Sequence, residues 1–218
     1  RRRDTKSVTV LGKSAVMTPE DAITHLVSQP NCAQFISERI WYRFVSSQEP
    51  LPQNHPMIKA FAGRDISALM GSLIESSALS QQHYSMVKSP VEWFIGLCRA
   101  LTITPSKLPS PTKLYGFREK LSQVPFSPPN VGGWPVDQAW LSSASAQYRV
   151  SFATSLIKEG DLSPLENLPA RNRIDGLADW LGVAEWSSRT KLALTGARKD
   201  PARMTLLALC SPEYVVSA

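Results

Sequence analysis

The sequence predicts an all-α fold, an irregular multi-helix bundle with long proline-rich loops. Helix starts repeatedly place a capping side chain directly before a proline, and apolar residues recur at helical spacing along most of the chain. Convincing alternating strand patterns are absent. With 43% hydrophobic and 19% charged residues among 218, the composition is that of a globular protein with a hydrophobic core.

Capping residues paired with prolines mark the predicted helix starts. A Ser, Thr or Asp side chain accepts hydrogen bonds from the first turn, and a proline at the first helical position loses no hydrogen bond. Ser89 followed by Glu92 also fits a capping box. The pairs are Thr18-Pro19, Ser89-Pro90, Ser110-Pro111, Asp200-Pro201 and Ser211-Pro212.

The spacing of apolar residues places the helices in order along the chain. Predicted helical segments are residues 22–27, 31–45, 66–74, 91–101, 114–121, 137–157, 173–181 and 201–209. Loops rich in proline or polar residues separate them at 49–56, 104–111 and 158–173. We therefore predict an extended basic arm over residues 1–17 and a single helical domain over 18–218. The polar segment 158–173 is a candidate for a mobile surface excursion.

The charge is concentrated at one end of the chain. Half of the net charge of +6 comes from the first six residues, RRRDTK. A basic end of this kind could contact phosphates, but no basic helix or basic patch interleaved with aromatic residues follows it. Nucleic-acid binding is therefore not favoured. No apolar run approaches the roughly 18 residues that span a bilayer, so no membrane span is predicted.

The cysteine pattern favours buried thiols. Cys32, Cys98 and Cys210 are far apart and each lies in an apolar helical pattern, without a CxxC motif or a Cys/His cluster. We therefore predict no metal site and no cofactor, although one disulfide bridge is compatible with three cysteines.

Catalytic signatures are missing from the sequence. It contains no GxSxG, HExxH, GxxxxGK[ST] or GxGxxG motif. His25, His55 and His83 lie in unrelated segments and are interpreted as surface or capping residues. The catalytic residues, if the chain has any, are unknown at this stage.

The most unusual segment is residues 125–140, PFSPPNVGGWPVDQAW, hereafter the 125–140 loop. Its prolines exclude a helix and its two glycines permit positive φ. Trp134 and Trp140 favour partly buried positions that anchor the loop. Asp137 is expected to begin the following helix, and Arg149 to bond loop carbonyls, to stack on Trp134 or to receive a carboxylate or phosphate.

Lys88 is a further binding candidate, because it directly precedes the predicted helix start at Ser89. The lysine and unpaired N–H groups of the first turn could hold an anion. In the alternative interpretation, Ser89 caps the helix and Lys88 is solvated.

Together these segments resemble the bacterial DUF1800 family, an uncharacterised family. The resemblance covers VTVLGK (8–13), NCAQFISERIWYRFV (31–45), VKSPVEWFIGLCRAL (87–101), PFSPPNVGGWP (125–135) with Trp140 and Arg149, and LLALCSPEY (206–214). It implies a mostly helical protein, in many members exported from the cytoplasm. Because members are typically about twice as long, the chain is similar to a C-terminal half without its N-terminal helical portion. No motif aligns over 158–199.

The resemblance supplies no reaction, and two classes of function stay open beside anion binding at the arginine end. The first is a non-catalytic binding or assembly subunit of an exported protein or complex, since Trp and Arg are favoured interface residues. Its partner would be a DUF1501-type protein, often encoded beside such family members, or the N-terminal half. The alternative is an extracytoplasmic hydrolase of cell-envelope or polysaccharide substrates that uses Asp137, Glu92 or Asp179.

Overall fold

The computed structural model describes residues 6–80, 85–108, 110, 116 and 119–217, and helices dominate these ranges. The predicted all-α class is confirmed. The chain divides into two compact units, residues 1–84 and residues 85–218. That residues 18–218 form a single domain stays a prediction.

The first unit opens with a short β-hairpin. Strand β1 (Val8–Val10) pairs antiparallel with β2 (Lys13–Ala15). The side chain of His25 forms a hydrogen bond with the carbonyl oxygen of Val10 at 2.9 Å, so the hairpin is tied to the first helix. Residues 1–5 of the predicted basic arm lie outside the described residues.

Within residues 6–80, four helices follow the hairpin, and three of them match predicted segments. They are α1 (Pro19–Val27), α2 (Cys32–Phe44), α3 (Pro56–Ala60) and α4 (Ile66–Ile74), followed by a 3-10 turn at Ser77–Ser80. The helix α3 was not predicted. His55 caps it by accepting from the Met57 N–H at 3.3 Å, in agreement with the capping interpretation of this histidine.

The core of the first unit is built around Trp41. This side chain is buried on α2 with Met57, Leu69 and Leu73, and its indole N–H donates to the carbonyl oxygen of Glu49 at 2.9 Å. Because the indole N–H is paired, the large ring is buried without the cost of an unsatisfied donor.

The second unit carries most of the helices and a second small sheet. Strand β3 (Met86–Val87) pairs antiparallel with β4 (Val216–Ser217). Between them lie α5 (Pro90–Ala100), α6 (Ser143–Ile157), α7 (Ser163–Glu166), α8 (Arg173–Leu181), α9 (Ser188–Ala197), α10 (Pro201–Leu209) and α11 (Pro212–Val215). Short 3-10 turns occur at Pro105–Lys107, Asp137–Trp140 and Ala170–Asn172.

Proline-paired caps at four helix starts are confirmed. The side chains of Thr18, Ser89, Asp200 and Ser211 each accept from a backbone N–H of the first helical turn. Pro111 of the fifth pair lies outside the described residues, as do residues 114, 115, 117 and 118 of the predicted helix 114–121.

The predicted helix over 137–157 is wrong in its first part. The chain makes a 3-10 turn over Asp137–Trp140, breaks at Leu141, and starts a new α-helix whose capping residue is Ser142. Because the helix is interrupted there, the Trp140 carbonyl accepts hydrogen bonds from the side chains of Ser145 and Arg149 on α6. The unpredicted helix α9 begins after its own cap, Ser187.

The core of the second unit is centred on Trp93. This residue is fully buried on α5, donates its indole N–H to the Leu209 carbonyl at 2.8 Å, and faces the Phe152 ring with centroids 6.5 Å apart. Leu165 of α7 is also fully buried in this core, so the segment 158–173 contributes to packing. Its mobility stays a prediction.

All three cysteines are free thiols. Cys98 is buried, and Cys32 and Cys210 are half-buried. Burial raises the pKa of Cys98 to about 11, and it raises that of Cys210 to about 11 although nearby Arg149 acts in the opposite direction. These two thiols are therefore protonated and weakly reactive at neutral pH.

Glu213 fastens the start of α9 to α11 and gives a pH-dependent contribution to stability. Its carboxylate accepts from the Ser187 N–H and from the Thr190 hydroxyl, each at 3.0 Å. Burial alone would raise the pKa of Glu213, but these hydrogen bonds hold it at about 2, below its usual 4.5. Because the folded-state pKa is depressed, the contribution is present above about pH 4.5 and is lost as the pH falls toward 2.

We expect Glu213→Gln to lower the free energy of unfolding by about 1–2 kcal/mol at neutral pH, after allowance for solvent screening of a partly exposed group. The difference from the wild type should shrink to near zero at about pH 2. Urea denaturation over this pH range measures it, with Glu159→Gln at an exposed site as the control. An unchanged difference across the range would contradict the prediction.

Candidate functional site

The 125–140 loop contains an ordered turn around Asn130. The side-chain oxygen of Asn130 accepts from the Gly132 N–H at 2.7 Å, and its carbonyl accepts from the Gly133 N–H at 3.1 Å. Gly133 has φ of 92°, a conformation that side chains disfavour, in line with the predicted role of the glycine pair. The turn therefore has a defined shape set by its own hydrogen bonds.

Two apolar side chains of this loop lie fully in solvent. Phe126 is 100% exposed and Val131 is 111% exposed, relative to the reference accessibility of each residue type. Phe126 also has φ of 65°, which is uncommon for a residue with a large side chain. The outer part of the loop thus holds apolar groups in water.

The inner end of the loop is buried. Asp137 and Trp140, which bound the 3-10 turn, are both buried in the second unit. The Asp137 carboxylate accepts from the N–H of Val87 at 2.8 Å and so joins the loop to β3. Asp137 has φ of 54°, in the left-handed region that Asp tolerates better than most residues.

Arg149 and Ser145 fasten the loop from the following helix. Arg149 is only 3% exposed, and its Nη1 donates to the Trp140 carbonyl at 3.2 Å. The Ser145 hydroxyl donates to the same carbonyl at 2.6 Å, and Arg149 Nη1 also lies 3.3 Å from that hydroxyl. One backbone oxygen therefore receives two side-chain donors, and both come from the same face of α6.

The other edge of the Arg149 guanidinium is buried without a hydrogen bond. Nε and Nη2 have no partner within the described part of the chain, and the same holds for the indole N–H of half-buried Trp134. The aromatic ring near the guanidinium is that of Trp93, with Cζ 6.0 Å from the ring centroid. Burial lowers the pKa of Arg149, although nearby Cys210 acts in the opposite direction.

This unpartnered edge leads to a prediction for Arg149→Met. The variant removes two unsatisfied buried nitrogens, while the Trp140 carbonyl keeps the Ser145 hydroxyl as a donor. Since each unsatisfied donor costs about 1–3 kcal/mol and the lost charged hydrogen bond offsets part of that, we expect the free energy of unfolding to rise by about 1–2 kcal/mol.

Chemical denaturation measures this change. Arg149→Lys is the matched control, because it keeps the buried charge and loses the planar fork, and we expect it to be less stable than Arg149→Met. A net loss of stability in the methionine variant would show that the bond to the Trp140 carbonyl outweighs the cost of the unpartnered edge.

The backbone N–H groups at the start of α5 already have hydrogen-bond partners. Ser89 and Glu92 form a reciprocal capping box, and the N–H of Val91 donates to the side chain of Gln123 at 2.9 Å. The backbone N–H groups that an anion would need are therefore occupied. The ammonium group of Lys88 instead lies 4.0 Å from the centroid of the Tyr214 ring.

The three carboxylates considered for hydrolysis have separate environments. Asp137 accepts a backbone hydrogen bond from β3, Glu92 accepts from the Ser89 N–H in the capping box, and Asp179 is exposed on α8. Among the described residues, no three His, Cys, Asp or Glu side chains gather as they would around a metal ion. Over the same residues, the helices are too short or too polar to cross a bilayer.

Sequence reasoning missed Ser145 and Tyr214. Ser145 could have been found, because it lies four residues before Arg149 on the helix and three after the cap Ser142. Tyr214 could not, since only the folded chain brings it to Lys88.

A model of the family DUF1800, described as a protein of unknown function, matches residues 1–216 of the chain. The match spans both compact units and includes residues 158–199, where no motif had aligned. No curated protein and no solved structure was found to match. Correspondence to the C-terminal half of longer members stays a prediction.

Proposed function

The chain belongs to the DUF1800 family, and from that premise we propose that it is a non-catalytic binding domain that docks a partner protein on the 125–140 loop. The observation that carries this proposal is the full exposure of Phe126 and Val131 on a loop whose inner end is buried. Large apolar side chains held in water, and rimmed by polar backbone, are typical of protein-binding surfaces.

The anchored loop favours tight binding for a physical reason. Removing a phenylalanine side chain from water contributes about 1.5–3 kcal/mol to association. A flexible loop would lose part of this gain to ordering, but the turn at Asn130 and the bonds to Trp140 already define the path of this loop. The apolar groups are thus preorganised for a partner.

We propose a DUF1501-type protein as the partner, on the ground of the family resemblance. The N-terminal half of longer family members is the alternative occupant of the same surface. Both would bury Phe126 and Val131, so the experiment below distinguishes them by the identity of the captured protein.

A location outside the cytoplasm is part of the same proposal. The buried thiol of Cys98 and the half-buried thiol of Cys210 are compatible with an oxidising compartment, because protonated, enclosed thiols react slowly. Fractionation of cells that make the natural full-length protein tests the location. Recovery with the cytoplasmic fraction would overturn it.

The docking proposal is tested by site-specific photo-cross-linking. A photoreactive phenylalanine analogue is placed at Phe126 in the natural full-length protein, and adducts formed in the producing cells are identified by mass spectrometry. The matched control is the same analogue at Leu192, which is 75% exposed on α9. We expect a discrete adduct from position 126 and none from position 192.

Each outcome decides part of the proposal. An adduct with a DUF1501-type protein supports the function and the partner, whereas an intramolecular adduct identifies the N-terminal half as the occupant. An adduct with another protein supports docking and overturns the partner. Absence of a position-specific adduct overturns the docking function.

The hydrolase alternative lacks a supporting observation. Glycoside hydrolysis needs two carboxyl groups that face one cleft at about 5–10 Å. Asp137 and Glu92 are engaged in backbone hydrogen bonds, and Asp179 is exposed.

A further inference from the structure

A cleft of about 520 Å³ lies in the second unit beside α5, α7, α8 and α11. This volume is within the range of about 300–1,000 Å³ that small-ligand sites occupy. Side chains from separate elements converge on it, which distinguishes it from a groove along one helix. The residues that give it chemical character are Lys88, Gly96, Arg99, Thr102, Trp180 and Tyr214.

The charge of this cleft has one sign. Of the residues that the structure describes, Lys88 and Arg99 line it and no acidic residue does. Within the described residues neither cation forms an ion pair. Burial lowers the pKa of Lys88, whereas Glu92 acts in the opposite direction. An anion in the cleft would therefore gain two positive partners, one of which has already lost part of its hydration.

Two aromatic rings form fixed walls beside these charges. Trp180 donates its indole N–H to the Ala100 carbonyl at 3.2 Å, which holds the ring against α5. Tyr214 is buried under the Lys88 ammonium, and a Cβ atom at Gly96 would lie 2.8 Å from its hydroxyl oxygen. The ring position thus depends on the missing side chain at Gly96.

Hydroxyl groups complete the lining. Thr102 lies two residues beyond the end of α5. Burial raises the pKa of Tyr214 to about 12, so its hydroxyl stays protonated at neutral pH. The lining thus combines aromatic residues, hydroxyl-bearing residues and cations. A complementary ligand has a ring with an apolar face, polar groups around its edge and a negative charge.

We propose that this cleft binds an anionic sugar, whose carboxylate or phosphate contacts Lys88 and Arg99 and whose ring packs against Trp180. The inference is independent of the docking function, because it concerns other residues of the second unit. Carboxylated and phosphorylated sugars share the chemistry that the cleft recognises, and the experiment separates them.

Isothermal titration calorimetry on the purified protein tests the proposal at constant ionic strength. The probes are glucuronate and glucose 6-phosphate, with glucose, acetate and inorganic phosphate as controls. We expect at least one anionic sugar to bind, and the neutral sugar and the simple anions to bind at least about tenfold more weakly. The preferred anionic sugar identifies the acidic group.

Variants identify the site. Lys88→Gln and Arg99→Gln should each weaken binding of the preferred sugar about tenfold, because each removes a charge-assisted contact. Arg189→Gln, at an exposed position on α9, changes the net charge equally and should leave binding unchanged. Arg99 is itself exposed, so its replacement tests the site without disturbing the core.

Four results would overturn the proposal. They are the failure of both anionic sugars to bind at about 10 mM, equal affinity for glucose, equal affinity for a simple anion, and unchanged affinity in both glutamine variants. Cross-linking at Phe126 is unaffected by any of them, so this proposal and the docking function can fail separately.

Discussion

Trp93→Ala is expected to lower the free energy of unfolding of the second unit by about 4 kcal/mol. The indole is fully buried, its N–H donates to the Leu209 carbonyl at 2.8 Å, and it packs beside the Phe152 ring. The substitution leaves a cavity and an unpaired carbonyl, and it removes the ring beside the Arg149 guanidinium. Urea denaturation followed by circular dichroism measures the loss.

Trp93→Phe is the informative control for this change. It keeps an aromatic ring but loses the hydrogen bond to Leu209, so we expect a smaller loss of about 1–2 kcal/mol. A loss below about 1 kcal/mol in the alanine variant would contradict the central position of Trp93 in this core.

Asp137→Ala is expected to cost about 3 kcal/mol. The variant leaves the buried N–H of Val87 without its acceptor at 2.8 Å and places alanine at φ of 54°. Both effects loosen the inner end of the 125–140 loop. Denaturation gives the magnitude, and hydrogen exchange at the Val87 amide reports whether this contact is the one that is lost.

Asp137→Asn separates the two causes. Asparagine keeps an acceptor oxygen and tolerates positive φ, so it loses only the charge and should cost about 1 kcal/mol. Equal losses in the alanine and asparagine variants would show that the carboxylate charge, and not the acceptor or the backbone conformation, holds the loop.

The helices that the sequence predicted well are those with local signals at their ends. Thr18, Ser89 and Asp200 cap α1, α5 and α10 through contacts within four residues. The break after Trp140 was missed although Ser142 caps the new helix locally, because no proline follows this serine to mark the helix start.

The candidate site likewise contains contacts between residues close in sequence, which could be predicted, and contacts between distant residues, which could not. Arg149 is identifiable from the sequence as a candidate anchor for the loop because it lies only nine positions after Trp140. The bond between Val87 and Asp137 joins residues 50 positions apart, and no local pattern encodes it. Lys88 was identified for its place before a helix, whereas its partner Tyr214 comes from the far end of the chain. Contacts of this range follow from packing, which a single sequence does not display.

The side chains of Ser145 and Arg149 both donate to the backbone carbonyl of Trp140 and not to its side chain. Any residue supplies the carbonyl that Ser145 and Arg149 bond, so the anchor itself places no demand on the identity of the loop residues before it. Substitutions at the exposed positions Phe126 and Val131 should therefore leave this anchor intact, whereas Trp134 packs against the core and Gly133 has a positive φ. Under the proposed docking function, the two apolar side chains that meet a partner can thus differ while the buried base of the loop stays the same.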